Sequence, residues 1–287
     1  MLAQVAVVCT RPARAAVVTA YAVWHAGGMQ PVAEQHRALV RRPGPRLAEG
    51  LVTHIDRQPV DLDLAMRQWE GYVQALRDAG WHVVEVEPAD DCPDAVFVED
   101  AVVVYGDLAV LTRPGAESRR DEVVGVETAV RAAGYRVARI EAPGTLDGGD
   151  VLKWGGTVWV GQGGRSNTEG MRQLARHLEP LGARVVGVPV SRVLHLKSAV
   201  TALPDGTVVG HEPLVDDPSV WQPFLPVPEE SGAHVVLLGG QRLLIAADAP
   251  RSAELFRDLG YEVTEVDISE LIKLEGCVTC LSVRMRG

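Results

Sequence analysis

A formal net charge of −10 on 287 residues, from 28 Lys and Arg against 38 Asp and Glu, repels phosphate backbones and argues against a nucleic-acid partner, while suiting a small cationic substrate. The composition, 47% hydrophobic and 23% charged, is that of a globular chain, and no apolar run reaches the roughly 18–20 residues of a membrane span, so no membrane partner is expected. Four cysteines, Cys9, Cys92, Cys277 and Cys280, are too few and too irregular for a disulfide scaffold, which predicts a cytoplasmic protein.

Residues 1–28 contain no Asp, Glu or Lys and are read as an N-terminal extension of uncertain order, with one domain over 29–287. Within that domain a repeat emerges. Leu62, Met66, Trp69, Val73 and Leu76 follow the spacing of a buried helical face, Gly80 ends the helix, and Trp81–Val86 reads as a strand. The same order recurs as Val123–Ala133, Gly134, Tyr135–Ile140, then as Met171–Leu181, Gly182, Ala183–Val188. It returns as Ala253–Leu259, Gly260, Tyr261–Val266. The 78 residues between Gly182 and Gly260 leave room for one further, eroded unit around Trp221–Val227.

Each helix and strand is followed by a hairpin. These are Val102–Tyr105 with Ala109–Thr112, Val151–Trp154 with Thr157–Val160, Ala199–Ala202 with Thr207–Val209, and His234–Leu238 with Arg242–Ile245, every pair flanking a glycine-containing turn. The last unit has only one late strand, predicted over Cys277–Arg286, so Ala38–Arg42 is expected to complete it and close a ring. The reading is a five-bladed pseudo-symmetric α/β propeller rather than a doubly wound sheet, which does not explain a hairpin after every helix and strand.

Polar residues fall at matching points of the repeat. Asp147 follows Asp100 by 47 residues, His195 follows Asp147 by 48, and Cys280 follows His195 by 85, about two units. Equivalent positions in a ring converge, so these side chains are expected in one central pocket. A lone Asp in a Gly-rich turn or a lone His is ordinarily structural; register across the repeat favours a site. On the predicted strand, Cys277 and Cys280, three apart, point to opposite faces. Cys277-Val278-Thr279-Cys280 also matches a redox pair or half a zinc site, but there is no second such motif.

The stretches Pro93–Asp100, Leu111–Arg120, Thr145–Val151 and Leu194–Ser198, in order and at natural spacing, closely resemble the dimethylarginine dimethylaminohydrolases of the pentein, or guanidino-group-modifying, superfamily. The resemblance implies hydrolysis of asymmetric dimethylarginine or monomethylarginine to citrulline and dimethylamine or methylamine, through a covalent thiouronium on Cys280. His195 would act as acid and base, oriented by Asp147. Glu99 and Asp100 would hold the guanidinium, Arg119 and Arg165 the α-carboxylate, and Asp94 the α-ammonium. Leu51 and the carbonyl of Leu274 would touch substrate. The cations of Arg119-Arg120, at the start of a predicted helix, suggest an anion nearby. No metal or organic cofactor is implied, and the protein is expected to be a monomer or homodimer. Arginine deiminase, agmatine deiminase and a non-catalytic arginine-binding propeller are the alternatives.

Overall fold

A computed structural model describes residues 36–286; the extension expected over residues 1–28 lies outside them. Strand β1 (Arg37–Val40) is followed by helix α1 (Leu62–Asp78) and β2 (His82–Glu85). Next come the hairpin β3 (Val102–Tyr105) and β4 (Leu108–Leu111), helix α2 (Val126–Ala132) and β5 (Arg136–Arg139). The third unit has β6 (Val151–Trp154), β7 (Thr157–Gln162), α3 (Thr168–Leu178) and β8 (Arg184–Pro189). A short helix α4 (Leu196–Ala199) leads into β9 (Val200–Ala202), β10 (Val208–Gly210) and β11 (Phe224–Pro226). The chain ends with β12 (Val236–Gly239), β13 (Arg242–Ala246), α5 (Pro250–Asp258), β14 (Glu262–Val266), α6 (Ser269–Ile272) and β15 (Val283–Met285).

Five three-stranded sheets result, each with one topology: the middle strand pairs antiparallel with one neighbour and parallel with the other. β1 is the middle strand of the last sheet, antiparallel to β15 and parallel to β2, so the earliest described strand closes the ring with the latest. Strand periodicity then distributes the core. On β1, Ala38 and Val40 pack toward β12 and β13, while Leu39 faces β3 and β4; on β4, Ala109 and Leu111 face one way and Leu108 and Val110 the other. Five apolar clusters therefore alternate with five sheets, and every seam of the ring is filled.

Helix α1 begins at Asp61, whose Oδ1 accepts the Leu64 N–H at 2.9 Å. Its buried face centres on Ala65, Trp69, Tyr72, Val73 and Leu76, slightly rotated from expectation, with Leu62 and Met66 only partly covered. Gly80, Gly134, Gly182 and Gly260 all adopt φ near +90°, the left-handed stop that makes the repeat visible.

The eroded unit expected around Trp221–Val227 is present as the sheet ending in β11, with 3-10 turns at Glu212–Leu214 and Pro218–Val220 where the other units carry a helix. Two expectations need correction. The helix predicted over Val123–Ala133 is a 3-10 turn, Glu117–Val123, followed by α2 after Gly125. The strand predicted over Cys277–Arg286 is confined to β15; before it the chain turns, and the Cys280 N–H donates to the Cys277 carbonyl at 3.0 Å.

Candidate active site

A short turn, helical in four of the five units, precedes the first strand of each unit, a feature that the hydrophobic pattern does not reveal. These turns are Val98–Ala101, Gly148–Asp150, α4 and Glu230–Ala233, and the fifth position is the turn containing Cys280. A turn this short leaves its N–H groups free for side chains and brings its polar residues beside those of the next unit. Asp100 Oδ1 accepts the Gly149 N–H at 2.7 Å, Asp150 Oδ1 accepts the Leu196 N–H at 3.0 Å, and the Cys280 carbonyl accepts the Glu99 N–H at 3.1 Å.

Asp100, Asp147 and His195 meet at the centre of this arrangement. His195 Nε2 is 2.9 Å from Asp147 Oδ2, and because a carboxylate only accepts, Nε2 carries the proton. Nδ1 lies 3.9 Å from Asp100 Oδ1. Burial would lower the pKa of His195, but Asp100, the Asp147 hydrogen bond and Asp150 outweigh it and hold it up to about 9. Burial would raise Asp100, yet His195 and Arg119 drive it well below the usual carboxylate range. Asp147 Oδ1 also accepts the Gly115 N–H at 2.8 Å, fixing the carboxylate plane. The donors of Asp100, Asp147 and His195 come within 4.8 Å of one another. Their lone pairs are largely committed to each other, to Arg119 and to backbone N–H groups, which fits a proton-handling cluster better than a cation site.

Cys280 is buried at the adjoining turn. Contrary to the opposite-face expectation, its Sγ lies 3.0 Å from that of Cys277, because the turn replaces the strand that would have separated them. Its hydrogen bond to Cys277, burial, and the charges of Cys277, Asp100 and Glu99 push the Cys280 thiol upward.

The remaining expected residues divide in two. Arg165 is nearly buried, its Nη1 has no hydrogen-bond partner, and it sits 3.9 Å from Asp147 Oδ2. Asp94 accepts the Leu51 N–H on both carboxylate oxygens at 3.1 and 3.2 Å, and burial raises its pKa. A side chain added at neighbouring Gly50 would come within 3.4 Å of Leu274 Cδ2, so Leu51, Asp94 and Leu274 cluster. Arg119, expected at the α-carboxylate, is engaged by the protein's own carboxylates. It is committed to Asp100 through Nη1 at 2.8 Å and to Glu122 through Nε and Nη2 at 2.9 and 2.8 Å. The anion inferred beside Arg119-Arg120 is thus supplied by the protein itself. Glu99 also turns away from Asp100. It pairs with Lys197 at 2.6 Å and Arg284 at 3.0 Å, and lines a separate cavity of about 110 Å³ that none of Asp100, Asp147, His195 or Cys280 lines.

Several participants were not singled out from sequence. Asp150, whose Oδ2 accepts the Ser166 hydroxyl at 2.6 Å, is pushed by burial up to about 6. Its signal was available in Asp147-Gly148-Gly149-Asp150. Glu122 lies three residues past Arg119 on the 3-10 turn. Glu275, at φ 60°, accepts the Thr53 N–H at 3.0 Å and so holds the loop after Leu51 from its other side.

A five-unit α/β propeller with a thiol, an imidazole and acidic residues gathered at its inter-unit turns is the pentein arrangement. No protein-family model matches the chain. The N(G),N(G)-dimethylarginine dimethylaminohydrolase of Streptomyces coelicolor is 68% identical over 250 residues, spanning 87% of this chain and 97% of that protein. The Pseudomonas aeruginosa protein of the same name is 37% identical over 250 residues, spanning 86% and 98%. A Cys-to-Ser mutant of the Pseudomonas aeruginosa protein, complexed with citrulline, superposes with a TM-score of 0.81 at 34% identity, over 88% of this chain and all of that one. The chain belongs to the dimethylarginine dimethylaminohydrolase family.

Proposed function

We propose that the protein hydrolyses N-methylated arginines to citrulline and a methylamine, with Cys280 as nucleophile. The observation that carries this reading is the buried Asp100–His195–Asp147 cluster, an imidazole held protonated by carboxylates, whose Asp100 follows directly on Glu99, the residue that donates its N–H to the Cys280 carbonyl. The substrate guanidinium is a delocalised cation that needs negative charge around it and a strong nucleophile at its carbon. The Cys280 thiol is held protonated by its hydrogen bond to Cys277 and by burial, with Asp100 and Glu99 adding to these; a bound cation offsets the two carboxylates, so substrate itself shifts the balance toward the thiolate.

The thiolate adds to the guanidinium carbon, and His195 gives its proton to the departing dimethylamine, leaving an S-linked thiouronium. Water then attacks this carbon as His195 takes its proton, and the carbon–sulfur bond breaks to release citrulline and thiolate. Asp147 keeps the imidazole oriented throughout. Arg165, with its unpartnered buried Nη1, takes the α-carboxylate, and Asp94 with the Leu51 and Leu274 backbone takes the α-ammonium. Arg119 acts at one remove, by fixing Asp100 and Glu122. The reaction as written uses no metal or organic cofactor.

Among the described residues no helix is long and apolar enough to cross a membrane. The three cysteines among the described residues are free, which supports the cytoplasmic reading, and monomer or homodimer remains the proposed assembly. Parallel assays of asymmetric dimethylarginine, monomethylarginine, arginine and agmatine test the activity. Citrulline formation from the methylated arginines should exceed turnover of the other two. Agmatine turned over as fast as dimethylarginine would favour the agmatine deiminase alternative, because agmatine offers Arg165 no carboxylate.

A further inference from the structure

The CxxC motif is the sequence feature that the proposed hydrolysis does not absorb, and the turn gives it a different geometry from the one expected of a strand. The Cys280 N–H to Cys277 carbonyl bond, 3.0 Å, closes a four-residue turn. Such a turn brings its end Cα atoms within about 7 Å, overlapping the roughly 4.4–6.8 Å range that a disulfide bridges. The two Sγ atoms already touch at 3.0 Å, and Thr279 Oγ1 lies 3.1 Å from Cys277 Sγ. Little main-chain movement separates this pair from a covalent bond.

We propose that Cys277 and Cys280 form a reversible disulfide under peroxide, which ties up the site's thiol and shuts the enzyme off until a dithiol reduces it. That the bond stops turnover rests on the nucleophile role proposed for Cys280; that the bond forms does not.

The chemistry balances with a hydroperoxide as oxidant. One thiolate attacks the peroxide oxygen, breaking the O–O bond to give a sulfenic acid and, after proton uptake, an alcohol, or water from hydrogen peroxide. The second sulfur then attacks the sulfenic sulfur and displaces hydroxide, which leaves as water with the second thiol's proton. Two thiols are oxidised and one peroxide is reduced. The hydrogen bond between the thiols draws Cys277 well down and, with burial, pushes Cys280 up, so the pair shares its first ionisation.

Both thiols are buried, at 3% and 6% exposure. That favours small oxidants over bulky disulfides and favours the adjacent thiol as the partner for a sulfenic acid. A lone thiol in this position would go on to sulfinic acid, which dithiols do not reverse. Cys277 therefore supplies a way back. The Cys277 hydrogen bond and burial, with Asp100 and Glu99 adding to them, disfavour ionisation of Cys280 without substrate, and among the described residues no other cysteine is hydrogen-bonded to the pair.

The test uses the full chain, reduced, then exposed to hydrogen peroxide, alkylated and digested with trypsin. Leu274–Arg284 is a single tryptic peptide holding both cysteines. It should become lighter by a pair of hydrogens and lose both alkylation sites. Activity should fall about tenfold or more, since the thiolate is the nucleophile, and return with dithiothreitol. In Cys277→Ser the same exposure should give a sulfinic acid on Cys280 and a loss, relative to that variant's own untreated activity, that dithiothreitol does not restore. Should Cys277→Ser fail to fold, the wild-type peptide decides alone. Sulfinic acid on Cys280 with Cys277 free in the wild type, or a link from either thiol to Cys92 or to a second chain, would overturn the pairing. A Cys277–Cys280 bond with undiminished activity would leave the pairing standing and refute Cys280 as nucleophile.

Discussion

His195 Nε2 lies 2.9 Å from Asp147 Oδ2 with both side chains buried, and this hydrogen bond orients the imidazole on which the pH behaviour of the site depends. Burial opposes the charged imidazole, but Asp100, Asp147 and Asp150 together hold its pKa up to about 9. The imidazolium is the form that protonates the leaving amine, so turnover should keep its acid through neutral pH and decline above about 9. Asp147→Asn removes a charge that raises His195. The alkaline limb should move toward lower pH and kcat should fall on the order of 10²–10⁴-fold. An unmoved limb would remove Asp147 from this role. Folding is linked to the same proton. The folded value exceeds the unfolded one, so the stabilisation is complete below about 6.5 and is lost as pH rises through about 9, which melts across that window will show.

The two expected carboxylate-binding arginines should separate by measurement. Arg119 is fully committed to Asp100 and Glu122, whereas Arg165 Nη1 has no hydrogen-bond partner and only a loose, 3.9 Å approach to Asp147. Arg119→Ala leaves two carboxylates buried without their cation and should cost about 3–5 kcal/mol of stability. Arg165→Ala should barely change Tm but raise KM for dimethylarginine about 10- to 100-fold, the loss of a charge-assisted hydrogen bond. Thermal melts and steady-state kinetics on both variants check this. Equal destabilisation by the two would contradict it.

Two glycines should respond with opposite signs. A Cβ at Gly149 would lie 2.7 Å from both His195 Nδ1 and Asp100 Oδ1, while Gly71, inside α1, has open space around it. Gly149→Ala should destabilise by about 1–3 kcal/mol and lower kcat by displacing the imidazole. Gly71→Ala should instead stabilise by about 0.4–1 kcal/mol, since the helix accepts a methyl there and the unfolded chain loses freedom. Denaturant midpoints and kcat for the pair provide the comparison.

These relationships were not equally legible in the sequence. Gly80, Gly134, Gly182 and Gly260 mark helix ends, and the hairpin glycines mark turns, so the five sheets and the ring closure through β1 follow from local rules. The register of Asp100, Asp147 and His195 is legible for the same reason. What the sequence left hidden is decided by tertiary competition for charge. Arg119 and Glu99 read from sequence as substrate ligands; that Glu122, Lys197 and Arg284, distant or unremarkable in sequence, also engage them is visible only in the fold. At Cys277–Cys280 the alternation of Leu281, Val283 and Met285 predicts a strand, but pairing begins only at Val283 and the cysteines occupy a turn.

The central claim, that Cys280 forms the covalent bond to substrate, is tested most directly by trapping it. Wild-type protein mixed with asymmetric dimethylarginine should be quenched in acid within a turnover, digested, and the peptide Leu274–Arg284 fragmented by tandem mass spectrometry. The account predicts a substrate-derived adduct on Cys280 and none on Cys277, with Cys280→Ser binding dimethylarginine but forming neither adduct nor citrulline. An adduct on Cys277, or citrulline formation by Cys280→Ser at the wild-type rate, would contradict it.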